Sequence, residues 1–450
     1  MPTLTGVFCR LCESDDHYYV QATPLKAAHC LSCAGVMKRA FTTEGNMVAL
    51  WIVGAVVLTM ITLTLCCARG MPVWLHARRR RLQQLLARVW HKAAREYTVL
   101  NKLKIMIGFY QIVTKVERIY DVYLPAEVRA LLQFFQVFIS LGLEGVPLTC
   151  VGAVGFHREL IFWMIVPLIT FAVVVLVAYM RAFVLQMSGQ RQPVSASSPF
   201  ERILPIFLRV AFLAYPVVTS IAFEAFSCHV FDDGAGSWLV ADVSIKCESP
   251  EHSAIKQTAW FAIVAYPIGM LATNAVLLFC SRSAISSKQP TRLSRALGFL
   301  HREYKPAMFF WELMEMARRF LLVGLFVIVP YDRGSLMQIG LATLTSMVFF
   351  FVQQNAEPFN KRSDNHVALA ASFSIIGVFF CCVFLKISTL TELEQINELL
   401  SVEQHTTYVF DTLPLTAILI VCVISSLAVS SVLVLFQASE DARRTMHEVH

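Results

Sequence analysis

The chain has 450 residues, 56% of them apolar and 15% charged, with a formal net charge of +7. An average soluble domain has roughly 25% charged residues, and a mean hydropathy of +0.60 leaves too little polar surface to coat a globule of this size. The balance argues against a soluble enzyme or a free nucleic-acid binder and for an all-α, polytopic integral membrane protein.

Residues 1–46 form a cysteine-rich tail. Met1–Met37 lacks an apolar run of signal-peptide length, so either the first span acts as a reversed anchor or this chain is the C-terminal piece of a longer secreted-type protein. Cys9-Arg-Leu-Cys12 and Cys30-Leu-Ser-Cys33 have the spacing of a four-thiolate zinc site. Outside the cell the same residues favour two disulfides, whose connectivity the sequence leaves open.

A bilayer core takes about 20 mostly apolar residues per helix. On that measure the first span is 47–68, with Cys66 and Cys67 at its inner end, where palmitoylation and plain packing are both compatible. Residues 69–130 read as a cytoplasmic basic, amphipathic and interfacial segment. Here Arg78, Arg79, Arg80, Arg81, Arg88, Lys92 and Arg95 accompany Leu82, Leu85, Leu86, Val89 and Trp90 at helical spacing. That pattern suits a helix lying on anionic inner-leaflet lipids, each basic residue adding about 1 kcal/mol near the surface.

Residues 131–439 read as a bundle of about eight further spans: Leu131–Thr149 with Glu144, Leu160–Met180, Ile203–Phe226 with Arg209 and Glu224, Gln257–Ser281, Phe320–Tyr331 borrowing Phe309–Arg319, Gly334–Ala356, His366–Leu385 and Thr412–Ser439. Residues 440–450 are a short tail. The expectation is therefore about nine transmembrane helices. Lys and Arg concentrate between Arg69 and Lys104 and between Arg282 and Arg319, which sets the N-terminus outside and the C-terminus inside. Cys228 and Cys247 flank an acidic outer loop near 227–256 and suit one bridge. Cys150 has no obvious partner, and Cys280, Cys381, Cys382 and Cys422 read as packing residues.

Ionisable residues at membrane depth carry functional hypotheses by default. Glu312, Glu315 and Arg319 are three and four apart, so a helix puts them on one face. They form either a gate or ion-binding patch, or an ion-paired helix at the headgroup level with Trp311 as anchor. Glu144 and Glu224, near outer span ends, could gather cations at a pore mouth or simply be solvated. Asn274 and Gln338 fit interhelical hydrogen bonds, and Pro216 and Pro267 fit kinks. There is no potassium filter, regular arginine repeat, Walker loop, Gly-x-Ser-x-Gly or His-Glu-x-x-His, so neither enzyme nor cofactor is expected.

Several phrases carry a resemblance: Lys104-Ile-Met-Ile-Gly-Phe-Tyr-Gln111, Val146-Pro-Leu-Thr-Cys150, Phe212-Leu-Ala-Tyr-Pro216, Phe226-Ser-Cys228, Asp232-Asp-Gly234, Leu239-Val-Ala-Asp242, Tyr266-Pro-Ile-Gly269, Phe309-Phe-Trp-Glu312 with Arg318-Arg319, Glu357-Pro-Phe359 and Asp364-Asn365. In order and spacing they resemble the TRP-like, polycystin-related transmembrane domain at the C-terminus of cysteine-rich surface proteins of protists, algae and oomycetes. The tail resembles the end of an ephrin-receptor-like cysteine-rich repeat, which would make Met1 a truncated start. The resemblance implies a cation channel or channel subunit. The alternatives are a non-conducting receptor or anchor transmitting from an extracellular cysteine-rich region, and a lipid or solute transporter. Expected partners are membrane lipids and further copies of the chain, with no nucleic acid, and the plasma membrane is favoured over an endomembrane.

Overall fold

The computed structural model describes residues 4–5, 11–13, 17–20, 28–33, 99–139, 150, 155–187, 199–231, 236–328, 334–391 and 412–449. The expected first span, Glu144, Cys9 and the basic series Arg78, Arg79, Arg80, Arg81, Arg88, Lys92 and Arg95 lie outside the described residues.

The tail contributes two antiparallel pairs, β1 (Leu4–Thr5) with β2 (Leu11–Cys12) and β3 (His17–Val20) with β4 (His29–Ser32). The register Tyr19 to Cys30 is followed three residues on by Cys33. Disulfides join Cys12 to Cys30 and Cys33 to Cys150. The tail thus does not close all its bridges within itself: Cys33 reaches a partner 117 residues away, and Cys150, which had no obvious partner in the sequence, is that partner.

The rest is helical: α1 (Val99–Val113), α2 (Val116–Tyr120), α3 (Ala126–Ile139), α4 (Phe156–Met187), α5 (Pro199–Glu224), α6 (Pro250–Ile263), a π-helical turn Val264–Ile268, α7 (Gly269–Ser286), short α8 (Arg292–Ala296) and α9 (Gly298–His301), α10 (Trp311–Phe320), a second π-helical turn Leu321–Leu325, α11 (Phe326–Ile328), α12 (Leu336–Ala356), α13 (Arg362–Thr391) and α14 (Thr412–Val449). Between α5 and α6 the hairpin β5 (Cys228–Phe231) and β6 (Gly236–Leu239) is closed by the expected Cys228–Cys247 bridge.

Six helices among the described residues are long and apolar enough to cross a membrane: 156–180, 203–224, 250–286, 336–356, 362–391 and 413–437. They coincide with six of the nine expected spans. The Phe309–Tyr331 candidate is helical from Trp311 to Ile328, through its π turn. Exposed apolar residues such as Leu168, Leu176 and Val177 at about 60% exposure line the outside of α4, as hydrocarbon contact requires.

Local chemistry sets the boundaries. Ser249 accepts from His252 N–H ahead of Pro250 at the start of α6, and Ser335 accepts from Gln338 N–H at the start of α12, each satisfying a donor the helix leaves open. Proline acts inside α5: Pro216 has no N–H, so the carbonyl of Phe212 loses its helical donor. The side chain of Gln111 on α1 supplies one instead, at 3.3 Å.

The two largest of four apolar cores among the described residues account for most of the packing. One is built by α1, α2, α3, α13 and α14 around Phe109, Tyr120, Phe379 and Leu419. The other is built by α4, α5, α6 and the disulfide-closed loop around Leu160, Phe223, Leu239 and Cys247. The placement of α1 and α2 departs from the sequence-based expectation. Residues 99–120, read as part of a cytoplasmic interfacial segment, are packed inside, with Phe109, Ile112, Val116 and Tyr120 almost fully buried. Of their charges, which depress the hydropathy, Lys102, Lys104, Glu117 and Arg118 pair with Asp364, Glu312, Arg129 and Glu224 on other helices.

Candidate functional site: a buried ion-pair lattice

The lattice is centred on Glu312, in the first turn of α10 and 1% exposed. One carboxylate oxygen receives Lys104 Nζ of α1 at 2.7 Å and the hydroxyl of Tyr304 at 2.9 Å. The other receives Arg319 Nη2 at 3.1 Å. Arg319 also donates Nη1 to Gln111 Oε1 at 3.0 Å and Nε to the Glu315 carbonyl at 3.1 Å, and its guanidinium lies over the Phe212 ring. Each of the three nitrogens of that planar group thus has an acceptor.

Glu315 turns to the neighbouring arginine. Its carboxylate takes Arg318 Nη2 at 2.7 Å, while Arg318 Nη1 donates to Ser372 on α13, which donates on to Gln353 on α12. Glu312, Glu315 and Arg319 are together, as their spacing predicts, and the ion pairs formed are Glu315–Arg318 and Glu312–Arg319. The guanidinium of Arg318 stacks on Phe349 at 4.1 Å. Lys104 adds an ion pair with Glu303 at 3.4 Å, a bond to the Phe299 carbonyl at 2.9 Å and the Phe299 ring at 4.3 Å. Nearby, Lys102 and Asn101 both hold Asp364 at the start of α13, at 2.8 and 3.0 Å.

Three cations, Lys104, Arg318 and Arg319, meet three carboxylates, Glu303, Glu312 and Glu315, around a cavity of about 20 Å³. That is room for one water and not for a hydrated ion. Glu303 lies in the loop before α10. Burial raises its carboxyl above the ordinary value, Lys104 opposes that shift, and Glu312 adds to it.

The remaining site candidates lie elsewhere. Glu224 ends α5 and ion-pairs with Arg118 of α2 at 2.5 Å, so it is neutralised and not freely solvated. Asn274 donates to the sulfur of Met316, and Gln338 bridges Gly334 N–H and the Phe326 carbonyl; both are helix-to-neighbour contacts, as expected. Among the described residues, Cys228, Cys247 and His252 bring ligand atoms within 4.8 Å of one another. The two sulfurs are bonded to each other, and His252 engages Glu248 N–H through Nδ1 and the Ala225 carbonyl through Nε2. They are not a metal site. Cys12 and Cys30 are likewise spent in a disulfide, as is Cys33, so the zinc alternative for the tail has lost three of its four thiols.

Lys102, Lys104, Gln111, Tyr304 and Asp364 escaped the reading of the sequence as site residues. The available signal was the pair of lysines two apart, directly before an apolar Ile-Met-Ile-Gly-Phe-Tyr run that a merely interfacial segment does not need.

A helical bundle with six membrane-length helices and disulfides in its N-terminal region and one loop defines a polytopic membrane protein with oxidised extramembrane elements. Over 177 residues, 37% of this chain, it is 25% identical to the cysteine repeat modular protein A of Toxoplasma gondii, and the match covers 6% of that protein's length. No known family matches the chain, and no solved structure matches it.

Proposed function

We propose that this chain is a non-conducting membrane anchor and transmitting domain for a cysteine-rich extracellular region. The observation that supports this best is the satisfied state of Glu312, clamped by Lys104, Arg319 and Tyr304 around a cavity with room for one water. A lattice so tightly closed ties α1, α10, α12 and α13 into one register, which is what a transmitting element requires and a conduction path does not. The likeness to a protein named for its cysteine repeats and the Cys33–Cys150 bridge from tail to bundle support the same reading. We place it in the plasma membrane, where the side that carries the oxidised cysteines would be the outer one. The basic series between Arg78 and Arg95 would add contacts with anionic lipid, and further copies of the chain would associate through the lipid-facing helices.

A second reading, a TRP-like cation channel, draws support from the two π-helical turns, Val264–Ile268 and Leu321–Leu325. Such turns frequently mark functional sites, and these interrupt helices joined by the Asn274–Met316 contact. Current across a planar bilayer containing the purified protein, under calcium, sodium and potassium gradients with added phosphoinositide, separates the two. Silence from protein with an intact thermal transition supports the anchor. Reproducible unitary currents that change in the combined Glu312→Gln, Glu315→Gln variant support the channel and overturn the anchor.

A further inference from the structure

We infer that residues 99–121, despite six charged side chains, cross the membrane from end to end, and that α3 does not cross it. The consequence is that Tyr123 and Cys150 lie on the same side as the Cys228–Cys247 loop. This inference is independent of whether the protein conducts.

The two ends of the bundle are identified by their own contacts. At one end the loops 301–305 and 357–361 bond to each other through Lys305 N–H to the Pro358 carbonyl and Asn360 N–H to the Glu303 carbonyl. At the other lie the end of α5 at Glu224, the disulfide-closed loop, and the start of α4, where Phe156 N–H donates to Asp242 at 2.9 Å. Val327 and Ile328 of α11 pack into the core at that second end.

Residues 99–121 touch both ends. Lys102 holds Asp364 and Lys104 holds Glu303 and Glu312 near the first. In between, Gln111 holds Arg319 and the Phe212 carbonyl, and Tyr110 donates to the Val423 carbonyl of α14. Tyr120 donates to the Leu322 carbonyl, Arg118 meets Glu224, and the Asp121 carbonyl receives Lys386 near the C-terminal end of α13. Twenty helical residues rise about 30 Å, which is the thickness of the hydrocarbon core. Charge inside a bilayer is tolerated when it faces the bundle interior and is paired, and Lys102, Lys104 and Arg118 each have a carboxylate partner.

The next segment starts at the second end, beside Asp121, and heads inward. Phe135 of α3 stacks on Tyr110 at 4.1 Å, midway along residues 99–121. Had α3 continued across, Cys150 would stand at the first end. Instead Cys150 is bonded to Cys33 and is followed within a few residues by Phe156, already hydrogen-bonded to the disulfide-closed loop. This replaces Leu131–Thr149 with residues 99–121 as the crossing between the basic segment and α4, and it moves Tyr123 and Glu127 to the opposite side from the one their place in segment 69–130 implied. The basic stretch and Lys288 stay together on the first side, as the charge asymmetry demands.

The test is side-specific labelling of the full-length protein in sealed vesicles with a membrane-impermeant maleimide. Tyr123→Cys and Glu127→Cys, both exposed, are placed in a background with Cys66, Cys67 and Cys280 replaced by alanine, and that background sets the baseline. Glu251→Cys reports the disulfide side and Lys288→Cys the other. Labelling of both test positions from the Glu251→Cys side is the expected result. Labelling from the Lys288→Cys side overturns the inference, and so does labelling from neither side while both references react.

Discussion

Lys104 Nζ lies 2.7 Å from Glu312 Oε2, and the two residues come from segments that the sequence assigns to different worlds, a cytoplasmic basic stretch and a membrane helix. Both are buried, Lys104 at 9% and Glu312 at 1% exposure. Their contact turns two residues that would each be costly alone into a neutral joint between α1 and α10.

Removing Glu312 exposes the cost. Glu312→Ala leaves Lys104 and Arg319 buried beside each other without their shared carboxylate, and breaking a buried pair from one side costs about 3–5 kcal/mol. The thermal transition in detergent should fall steeply. Lys104→Met combined with Glu312→Leu should recover part of the loss, since it removes charges from both segments, although Arg319 then keeps only Gln111 and backbone partners. A double variant no more stable than Glu312→Ala would show that Lys104 and Glu312 are not coupled.

What could be read from the sequence follows from which physics it records. The six long apolar helices were legible, because hydropathy over about 20 residues reports lipid contact directly. The Cys228–Cys247 bridge was legible because both cysteines flank one short loop. Residues 99–121 were not, because a hydropathy window charges Lys102, Lys104 and Arg118 at full cost and cannot see Asp364, Glu312 and Glu224 arriving from far along the chain. The Cys33–Cys150 bridge was hidden for the same reason. In the site, helical spacing brought Glu312, Glu315 and Arg319 together correctly, yet it could not tell which arginine each carboxylate takes once Gln111 and Ser372 compete for the guanidinium groups.

Close packing at the second π turn gives a steric prediction. A Cβ added to Gly324 would sit 2.6 Å from Phe223 Cε2 and 2.8 Å from Thr219 Cγ2, so Gly324→Ala forces the second π turn and α5 apart. Overpacking of this kind costs about 1–3 kcal/mol, and the melting temperature should drop accordingly. Gly340→Ala is the control. Its Cβ meets nothing within 4 Å on α12, and alanine in a helix interior is favoured over glycine by about 0.5–1 kcal/mol. Equal effects of the two substitutions would refute the steric account.

Glu303 gives a pH signature. Burial holds its folded-state carboxyl above the ordinary value of 4.5, against the attraction of Lys104 and with the repulsion of Glu312 and Asp364. A carboxyl raised on folding contributes stability that is fully present below its unfolded value and lost as pH rises through its folded value. Glu303→Gln abolishes that loss while leaving Lys104 its shorter contact with Glu312. The difference in melting temperature, variant minus parent, should therefore rise with pH from 4.5 upward and then level off. A difference independent of pH between 4 and 8, roughly the range over which a shifted carboxyl titrates, would rule Glu303 out as the source.

The Cys33–Cys150 bridge predicts a covalent connection across the basic segment. A site-specific protease sequence inserted after Arg81 cuts the chain between the two cysteines. With the bridge in place, the pieces carrying the tail and the bundle migrate together on a non-reducing gel and separate after reduction. In Cys150→Ser they should separate without reductant, while the Cys12–Cys30 and Cys228–Cys247 bridges, each closed within one piece, remain. Had the tail closed all its bridges among Cys9, Cys12, Cys30 and Cys33, cleavage alone would release it from the unsubstituted protein, and Cys150→Ser would change nothing. A tail bonded to the bundle at Cys150 cannot move without pulling on the chain just ahead of α4, whose first residue is already tied to Asp242. Force or ligand binding at the tail therefore has a route to the disulfide-closed loop that is covalent as far as Phe156 and hydrogen-bonded from there to Asp242, and Cys150→Ser should uncouple the two while leaving the ion-pair lattice around Glu312 intact.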